Sequence, residues 1–275
     1  MITIQQWLSD AYTQFKKAGI ETARLDSLVL LSDELGHYKS WILGHPEHKL
    51  QGLEIETLST KITQRLQHIP LAYIRGKVDF YGHEFTINEH VLVPRPESES
   101  IIELLKALLS LQKISTAIDI GTGSGALAIT AKLDFPALRV IAIDIEVSCL
   151  RLAQTNAKQL SVEIELLQGD LLMPLHGISV DRQTVLICNL PYVPTGHPVN
   201  QAATHEPRIA LYGGVDGLRL YRKLCTQLEL LSSVPEYIIT ESLVSQHAEL
   251  IKLFSSNGYK LRSADGLAQC FEHTK

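Results

Sequence analysis

The stretch Asp119-Ile120-Gly121-Thr122-Gly123-Ser124-Gly125 follows a short apolar run and opens onto a small-residue helical pattern. Three alternate glycines let the backbone come close to a ligand, and the first N–H groups of the following helix face it. About twenty residues further on, Asp144 closes the next apolar run, where a carboxylate accepts hydrogen bonds from ribose hydroxyls. The turn by itself is shared by many nucleotide folds and by plain strand-to-helix turns. Together with Asp144 it points to an adenosine-containing cofactor. A dinucleotide site usually reads G-x-G-x-x-G, whereas this turn reads G-x-G-x-G directly after Asp119. Asp170, followed by Leu171 and Leu172, is a further polar residue at a strand's carboxyl end, the place where open α/β sheets bind ligands. The deciding feature is Asn189-Leu190-Pro191-Tyr192, immediately after the run Val185-Leu186-Ile187-Cys188.

Such positions need a sheet to hold them. From Glu97 onward helical and extended patterns alternate. A helix over 101–111 precedes the strand Ala117-Ile118-Asp119-Ile120, and a helix to Leu133 precedes Val140-Ile141-Ala142-Ile143. A helix over 147–159 leads to Ile164-Glu165-Leu166-Leu167, and then Val185 to Cys188 runs into Asn189. A helix over 218–231, the strand Tyr237-Ile238-Ile239-Thr240, a helix over 245–256 and a strand pair near Lys260 and Cys270 complete the series. This alternation predicts an α/β fold with a mostly parallel sheet covered on both faces.

The earlier residues read differently. Ile4, Trp7, Leu8, Ala11, Tyr12 and Phe15 recur at three- and four-residue steps, with Gly19 just beyond. A second helix starts from Thr22 as N-cap and runs through Leu25, Leu28, Val29 and Leu35 to Gly36. Leu58, Ile62, Leu66 and Ile69 make a third stripe that Pro70 stops. No catalytic constellation is visible there, so a docking or packing module is expected. Phe80, Phe85, Ile87, Val91 and Val93 then sit among polar residues, with turn candidates at Tyr81-Gly82-His83 and Asn88-Glu89, which predicts a β-hairpin over 78–93. Pro94-Arg95-Pro96 punctuates the chain. The expected organisation is a helical domain over 1–75, a hairpin linker over 76–94 and the sheet domain over 95–275.

Composition narrows the class. With 275 residues, 45% hydrophobic and 20% charged, disorder, collagen and coiled coil are excluded. A chain of this length buries a core without disulfide or metal staples. Cys149, Cys188, Cys225 and Cys270 are spaced too widely for a zinc knuckle or a CxxC pair, which predicts free thiols in a reducing compartment. His45 and His48 have no further ligands near them in sequence, so a surface loop and no metal site are expected. Lys+Arg 25 against Asp+Glu 30 gives a net charge of −5, which argues against a global grip on nucleic acid. The segment Met1 to Trp7 has neither a basic nor an apolar leader pattern. No apolar run approaches the roughly 18–20 residues that cross a bilayer. A cytoplasmic protein without membrane attachment is the expectation.

Nearly the whole chain resembles the class I S-adenosylmethionine-dependent methyltransferases of the HemK/PrmC type, which methylate the side-chain amide of a glutamine in peptide chain release factors. The resemblance runs through Pro70-Leu71-Ala72-Tyr73-Ile74 with Gly76, Phe80-Tyr81-Gly82 and Val91-Leu92-Val93-Pro94-Arg95-Pro96-Glu97. It continues through the glycine turn, the Asn189 box, Glu206-Pro207-Arg208 and Gly213-Gly214-Val215-Asp216-Gly217-Leu218. The turn and the Asn-x-Pro-Tyr box are shared by many methyltransferases, whereas the Pro-Arg-Pro-Glu and Gly-Gly-x-Asp-Gly-Leu segments are more specific to this family. It implies a seven-stranded Rossmann-like methyltransferase domain, a small helical bundle that recognises the release factor, and a monomer. It implies S-adenosylmethionine held by Gly121, Thr122, Gly123, Ser124, Gly125, Asp144, Asp170, Leu171 and Asn189. Catalysis would fall to Asn189, Leu190, Pro191 and Tyr192, on the glutamine of a Gly-Gly-Gln loop.

The physics of that loop follows from the substrate. A primary amide nitrogen is a poor nucleophile because its lone pair is delocalised into the carbonyl. The Asn189 oxygen can accept one N–H and a loop carbonyl the other, which would aim the nitrogen at a sulfonium methyl carbon. Tyr192 can wall the flat amide, and no general base is needed. The family box is Asn-Pro-Pro-Tyr, and position 190 is leucine instead. Leu190 still supplies a carbonyl, and Pro191 biases it to an extended conformation. Its extra N–H needs a partner, and a looser loop is expected. The segment Asp265-Gly266-Leu267-Ala268-Gln269 also lacks the arginine that the family leads one to expect.

The same box suits any planar exocyclic nitrogen, so methylation of adenine N6 or guanine N2 in nucleic acid is the rival. It would require a basic groove and interleaved aromatics, which the sequence lacks. A catalytically silent release-factor-binding protein is opposed by the intact turn, Asp144 and Asn189, and a nicotinamide oxidoreductase by the Asn189 box. Cys188 reads as a buried small apolar residue. Arg95 and Glu97 either pair beside the cofactor pocket or hold the hairpin to the sheet domain.

Overall fold

The computed structural model describes residues 2–175, 178 and 180–274; Met1 and Lys275, which end the expected domains, lie outside them. The chain divides into two compact units, Met1–Lys77 with Val199–His205, and Val78–Pro198 with Glu206–Lys275.

The first unit is helical. In α1 (Ile4–Lys17) the Thr3 hydroxyl accepts from Gln6 N, and the Gln6 side chain accepts from Thr3 N in return. Its three- and four-residue stripe buries Ile4, Trp7, Ala11 and Phe15. The second helix, α2 (Ala23–Leu35), ends at Gly36 in the left-handed region, but Thr22 does not cap it. Thr22 has ψ 16°, away from the extended N-cap conformation, and its side chain makes no capping bond. Then follow α3 (Lys39–Gly44), α4 (Gly52–Leu66) and α5 (Leu71–Arg75). The pieces α3 and α5, of 6 and 5 residues, are too short to show a stripe, which is why periodicity does not find them. A buried ion pair, Asp26–Arg65 at 2.7 Å, joins α2 to α4. His37 and His45 stack on Trp41, and His48 meets its edge. His205, from the inserted segment, bonds Gln67 O at 2.9 Å.

The second unit opens with β1 (Lys77–Phe80) and β2 (His83–Thr86), joined through Tyr81 and Gly82 at φ 48° and 77°. Two left-handed residues suit a tight hairpin turn. The pairing stops at Thr86. The apolar residues Ile87, Val91 and Val93 are buried outside any strand, because Asn88 turns the chain by accepting His90 N on its side chain. Period-two burial there reflects a folded strap, not a strand.

The alternating region gives α6 (Glu99–Leu111), β3 (Thr116–Ile120), α7 (Ala126–Asp134), β4 (Arg139–Asp144), α8 (Val147–Gln159), β5 (Glu165–Gln168) and β6 (Thr184–Cys188). After these come α9 (Arg208–Leu211), α10 (Arg219–Leu228), β7 (Tyr237–Glu241), α11 (His247–Ser255), β8 (Tyr259–Asp265) and β9 (Ala268–His273). The sheet has 7 strands in the order β5-β4-β3-β6-β7-β9-β8, parallel except where β9 runs against β7 and β8. This is the expected α/β fold. Side chains alternate between two apolar layers. Ala117, Val140, Val185, Ile187 and Ile239 face one, and Ile118, Ile141, Leu186 and Ile238 face the other. From β3 the chain moves outward to β4 and β5, then returns to β6 on the opposite side of β3. The carboxyl ends of β3 and β6 therefore flank a topological switch point, where a crevice opens.

One side chain ties the hairpin to the first turn of that crevice. Asn156, fully buried on α8, accepts Thr86 N at 2.8 Å and donates to Thr86 O at 3.0 Å and Ser124 O at 2.8 Å. Replacing Asn156 by Ala orphans these groups. We expect unfolding stability to fall by about 2–4 kcal/mol, measured by urea titration.

Candidate active site

The chain leaves β3 at Ile120 and turns through Gly121, Gly123 and Gly125, all at positive φ. Gly121 N and Thr122 N both donate to Ile143 O, so the turn starts as a continuation of the sheet pairing. Gly123 (φ 54°) has nothing within 4 Å of where a Cβ would stand, and it is glycine for its backbone conformation. At Gly125 the reason is packing, since a Cβ would come within 3.0 Å of Ala153 on α8.

A cavity of about 410 Å³, within the small-molecule range, opens over this turn. Of the residues singled out in the sequence, Gly121, Thr122, Gly123, Ser124, Asp144, Asp170, Leu171, Asn189, Leu190 and Pro191 line it. Gly125 and Tyr192 do not. Asp144 accepts Gly123 N on one oxygen and Glu146 N on the other, both at 2.9 Å. Burial raises its pKa, and these two backbone donors hold it back. Each oxygen keeps a lone pair for a ligand hydroxyl. Asp170 is ion-paired with Lys223, which also lines the cavity.

Behind the turn, Asp119 is fully buried. Its pKa is pushed up to about 7 by burial, against the Thr122 hydroxyl, which donates at 2.6 Å, and the Ala128 backbone. A carboxyl raised in the folded state binds its proton there at pH values where the unfolded chain has released it. Its contribution to stability is thus complete below the unfolded pKa and lost as pH rises from about 4 to about 7.

The Asn189 box sits across the cavity. Parallel pairing of β6 with β7 sets Cys188 beside Thr240, so the residues that follow, Asn189 and Glu241, are neighbours on one face. Asn189 Nδ2 donates to Ser98 Oγ at 2.9 Å, which leaves Oδ1 as the accepting end. Tyr192, expected only as a wall, donates its hydroxyl to Glu241 Oε1 at 2.9 Å. Burial raises the pKa of Glu241, Ser98 and Tyr192 lower it, Glu97 adds to the rise, and Asn189 lowers it. Glu241, Ser98 and the strap residues His90 to Pro94 carry no chemical pattern of their own. Only the family segment Val91 to Glu97 signals part of them.

Leu190 is buried, with Cδ2 3.4 Å from the Cβ position of Gly121. Its N–H faces the Tyr221 hydroxyl, whose pKa burial raises and this N–H helps hold down. That tyrosine also bonds Cys188 O at 2.9 Å and Glu241 O at 2.6 Å, tying β6 to β7. The looser loop expected from leucine is opposed by these contacts.

The Gly213-Gly214-Val215-Asp216-Gly217 loop packs directly on the box. A Cβ at Gly213 would stand 2.3 Å from Pro191 O, and one at Gly217 2.0 Å from Tyr192 O. Gln246 bridges Tyr192 O and Asp216 O at 2.8 Å each. Arg95 does not pair with Glu97: it pairs with Glu206, which is buried and also accepts Val93 N at 3.0 Å, so of the two expected roles Arg95 takes that of holding the segment after the hairpin to the sheet domain. A buried carboxylate attracts the guanidinium more strongly than exposed Glu97 does. Cys188 is buried with its pKa well above the ordinary thiol value, because burial disfavours the thiolate. Burial likewise pushes Cys149 up to about 12.

Two outcomes follow from this geometry. Replacing Asp119 by Asn removes the titration, so the variant's stability relative to wild type should grow between pH 4 and pH 7.5, by up to about 4 kcal/mol, in urea titrations at fixed ionic strength. Replacing Leu190 by Pro deletes both the N–H that meets Tyr221 and the branched side chain against Gly121. We expect a loss of about 2–3 kcal/mol and no gain in turnover, read by thermal unfolding and by initial rates.

Comparison with known proteins agrees with the geometry. Residues 6–76 match the family described as PrmC N-terminal domain, and residues 99–206 the family described as methyltransferase small domain. The release factor glutamine methyltransferase of Enterococcus faecalis is 37% identical over 78% of this chain and 77% of its own length. A bifunctional methyltransferase of Rickettsia felis is 30% identical over 95% of this chain, which spans only 55% of that longer protein. In fold alone, the N-terminal domain of human METTL16 in complex with SAH is similar, with a TM-score of 0.54 at 16% identity over 90% of this chain and 94% of that one. Identity of 37% across three quarters of both the chain and the Enterococcus protein places this chain in the release factor glutamine methyltransferase family.

Proposed function

We propose that the protein transfers the methyl group of S-adenosylmethionine to the side-chain amide nitrogen of the glutamine in the Gly-Gly-Gln motif of a peptide chain release factor. The observation that carries the reading is the orientation of Asn189. Its nitrogen is committed to Ser98, so its oxygen is the end left to accept an N–H in the cavity. The backbone carbonyl of Leu190 is the natural second acceptor. With both hydrogens held, the substrate nitrogen has one direction left for its lone pair, a near-attack geometry.

The turn from Gly121 to Gly125, with Asp144, Asp170 and Leu171, would hold the cofactor. The carboxylate of Asp144, fixed by two backbone donors, suits the ribose hydroxyls. When bound, the sulfonium supplies an electrophilic methyl carbon. The chain's own task is to hold the amide in plane, exclude water with Leu190 and the strap, and accept the amide hydrogens. No side chain has to remove a proton before attack, since the methylated nitrogen is acidic enough to lose one afterwards.

In this reading residues 1–75 recognise the release factor, 76–94 link, and 95–275 carry out the transfer, as a monomer in the cytoplasm. No helix among the described residues is long and apolar enough to cross a membrane.

The test offers radiolabelled S-adenosylmethionine with intact release factor, with a factor whose Gly-Gly-Gln glutamine is replaced by alanine, and with nucleic acid. Label is expected in the intact factor alone, and Asn189→Ala should lower kcat by about 10²-fold. Label in nucleic acid, or in the alanine factor, would overturn the reading.

A further inference from the structure

Glu241 is a buried carboxylate to which the methyl transfer assigns no direct task. It does not line the cavity, whereas Ser98 and Asn189 do. Tyr192 occupies its Oε1 at 2.9 Å. Its Oε2 is buried with no hydrogen-bond partner of good geometry, although the Ser98 hydroxyl and, to a smaller extent, the Asn189 amide are close enough to lower its pKa. Ser98, for its part, uses a lone pair to accept Asn189 Nδ2 at 2.9 Å, so its own proton is free to be donated. An acceptor lacking a donor lies beside a hydroxyl with a proton to give.

We infer that Glu241, acting through Ser98, decides which end of the Asn189 amide faces the substrate. This rests on the reading of the Asn189 loop as an amide clamp. The two ends of a carboxamide have nearly the same shape and opposite polarity, so packing alone cannot choose between them. An ionised carboxylate only accepts. It therefore draws the Ser98 proton to itself, which turns a serine lone pair toward Asn189. That lone pair demands the Nδ2 end, and the oxygen is left for the substrate. With the relay reversed, Asn189 would present N–H to the N–H of a glutamine amide, and the clamp would repel its substrate. Glu241 is in this sense a positioning residue, and β7 holds it in register with the end of β6 for that purpose.

The relay makes an unusual demand, because its polarity can be inverted at both ends together. In Glu241→Gln the new amide can donate to Ser98, whose proton then turns toward position 189 and disfavours the working orientation. In Asn189→Asp the inner oxygen meets the serine lone pair, an acceptor against an acceptor. In the double variant, Gln at 241 donates to Ser98, Ser98 donates to the inner oxygen of the Asp, and the outer oxygen accepts the substrate N–H. The net charge of the site is that of the wild type.

The experiment measures kcat and KM for release factor methylation in the wild type, both single variants and the double, with S-adenosylmethionine affinity by calorimetry and thermal unfolding to confirm folding. Each single variant is expected to lose about 10²-fold in kcat, with cofactor affinity and release-factor KM within about 3-fold of wild type. The double variant is expected to recover at least about 10-fold over Asn189→Asp. Native kcat in Glu241→Gln, or single losses that simply multiply in the double, would overturn the relay. If Glu241→Gln does not fold, Ser98→Ala carries the test, since it cuts the relay and spares the carboxylate. A fall in its kcat at unchanged cofactor affinity supports the inference, and native kcat overturns it. A wild-type enzyme inactive on release factor would instead remove the amide clamp itself, and the relay with it.

Discussion

The carbonyls of Pro191 and Tyr192 lie so close to Gly213 and Gly217 that a Cβ at either glycine would stand 2.3 or 2.0 Å from an oxygen. Backbone rests on backbone there, with no side chain between to yield. Main-chain atoms cannot change rotamer, so this contact fixes the loop after β6 more firmly than side-chain packing would. Gln246 adds a bridge between the two segments, bonding Tyr192 O and Asp216 O. Everything in the site hangs from that loop: the Asn189 amide, the Leu190 carbonyl, and the Tyr192 hydroxyl that reaches Glu241. Asp216, at the loop's far end, is held by Arg222 and by Leu218 N, which together lower its pKa to about 2. Its carboxylate stays charged throughout the neutral range.

Around this fixed loop the unit buries Asp119, Asp144, Glu206 and Glu241, and each solves the cost of burial with different donors. Asp119 has the Thr122 hydroxyl, Asp144 two backbone amides, Glu206 the Arg95 guanidinium and Val93 N, and Glu241 the Tyr192 hydroxyl. A buried carboxylate with one missing donor is costly, so each also dictates the position of the group that satisfies it. Glu206 pulls the strap from Val93 to Arg95 against the unit, Asp144 shapes the glycine turn, and Glu241 orders the Asn189 box. Polar burial here is a means of placing backbone, and it is concentrated where the sheet opens.

What the sequence made legible follows from range. The strand ending at Ile120, the glycine turn, Asp144 and Asn189 are each visible within a few residues, because strand, turn and helix signals are local. The alternation from Glu97 onward was enough to give the α/β fold and its parallel sheet. The misses are long-range or short-element effects. Ser98 meets Asn189 across 91 positions and Arg95 meets Glu206 across 111, so Glu97, nearer in sequence, looked like the partner. Asn156 binds the hairpin across 70 positions. Glu241 continues the apolar strand Tyr237 to Thr240, and nothing local distinguishes it from a solvated strand end. The hairpin ends at Thr86, short of the alternating pattern, because alternation of burial in a folded strap imitates alternation in a strand.

Position 190 shows how a local rule can be set aside by tertiary context. From sequence, a leucine where the family has proline frees φ and adds an N–H that must find a partner, both of which predict a looser loop. In the structure the N–H faces Tyr221, a fully buried tyrosine whose hydroxyl also bonds the carbonyls that end β6 and β7. The leucine side chain fills the space in front of Gly121, where that glycine has no side chain of its own. Rigidity that proline supplies through its ring is supplied here by burial and one polar contact. The two solutions are not interchangeable one residue at a time. A proline ring at 190 would leave Tyr221 short of a donor and Gly121 short of a neighbour, so leucine at 190 and the tyrosine beneath it form one unit of the site.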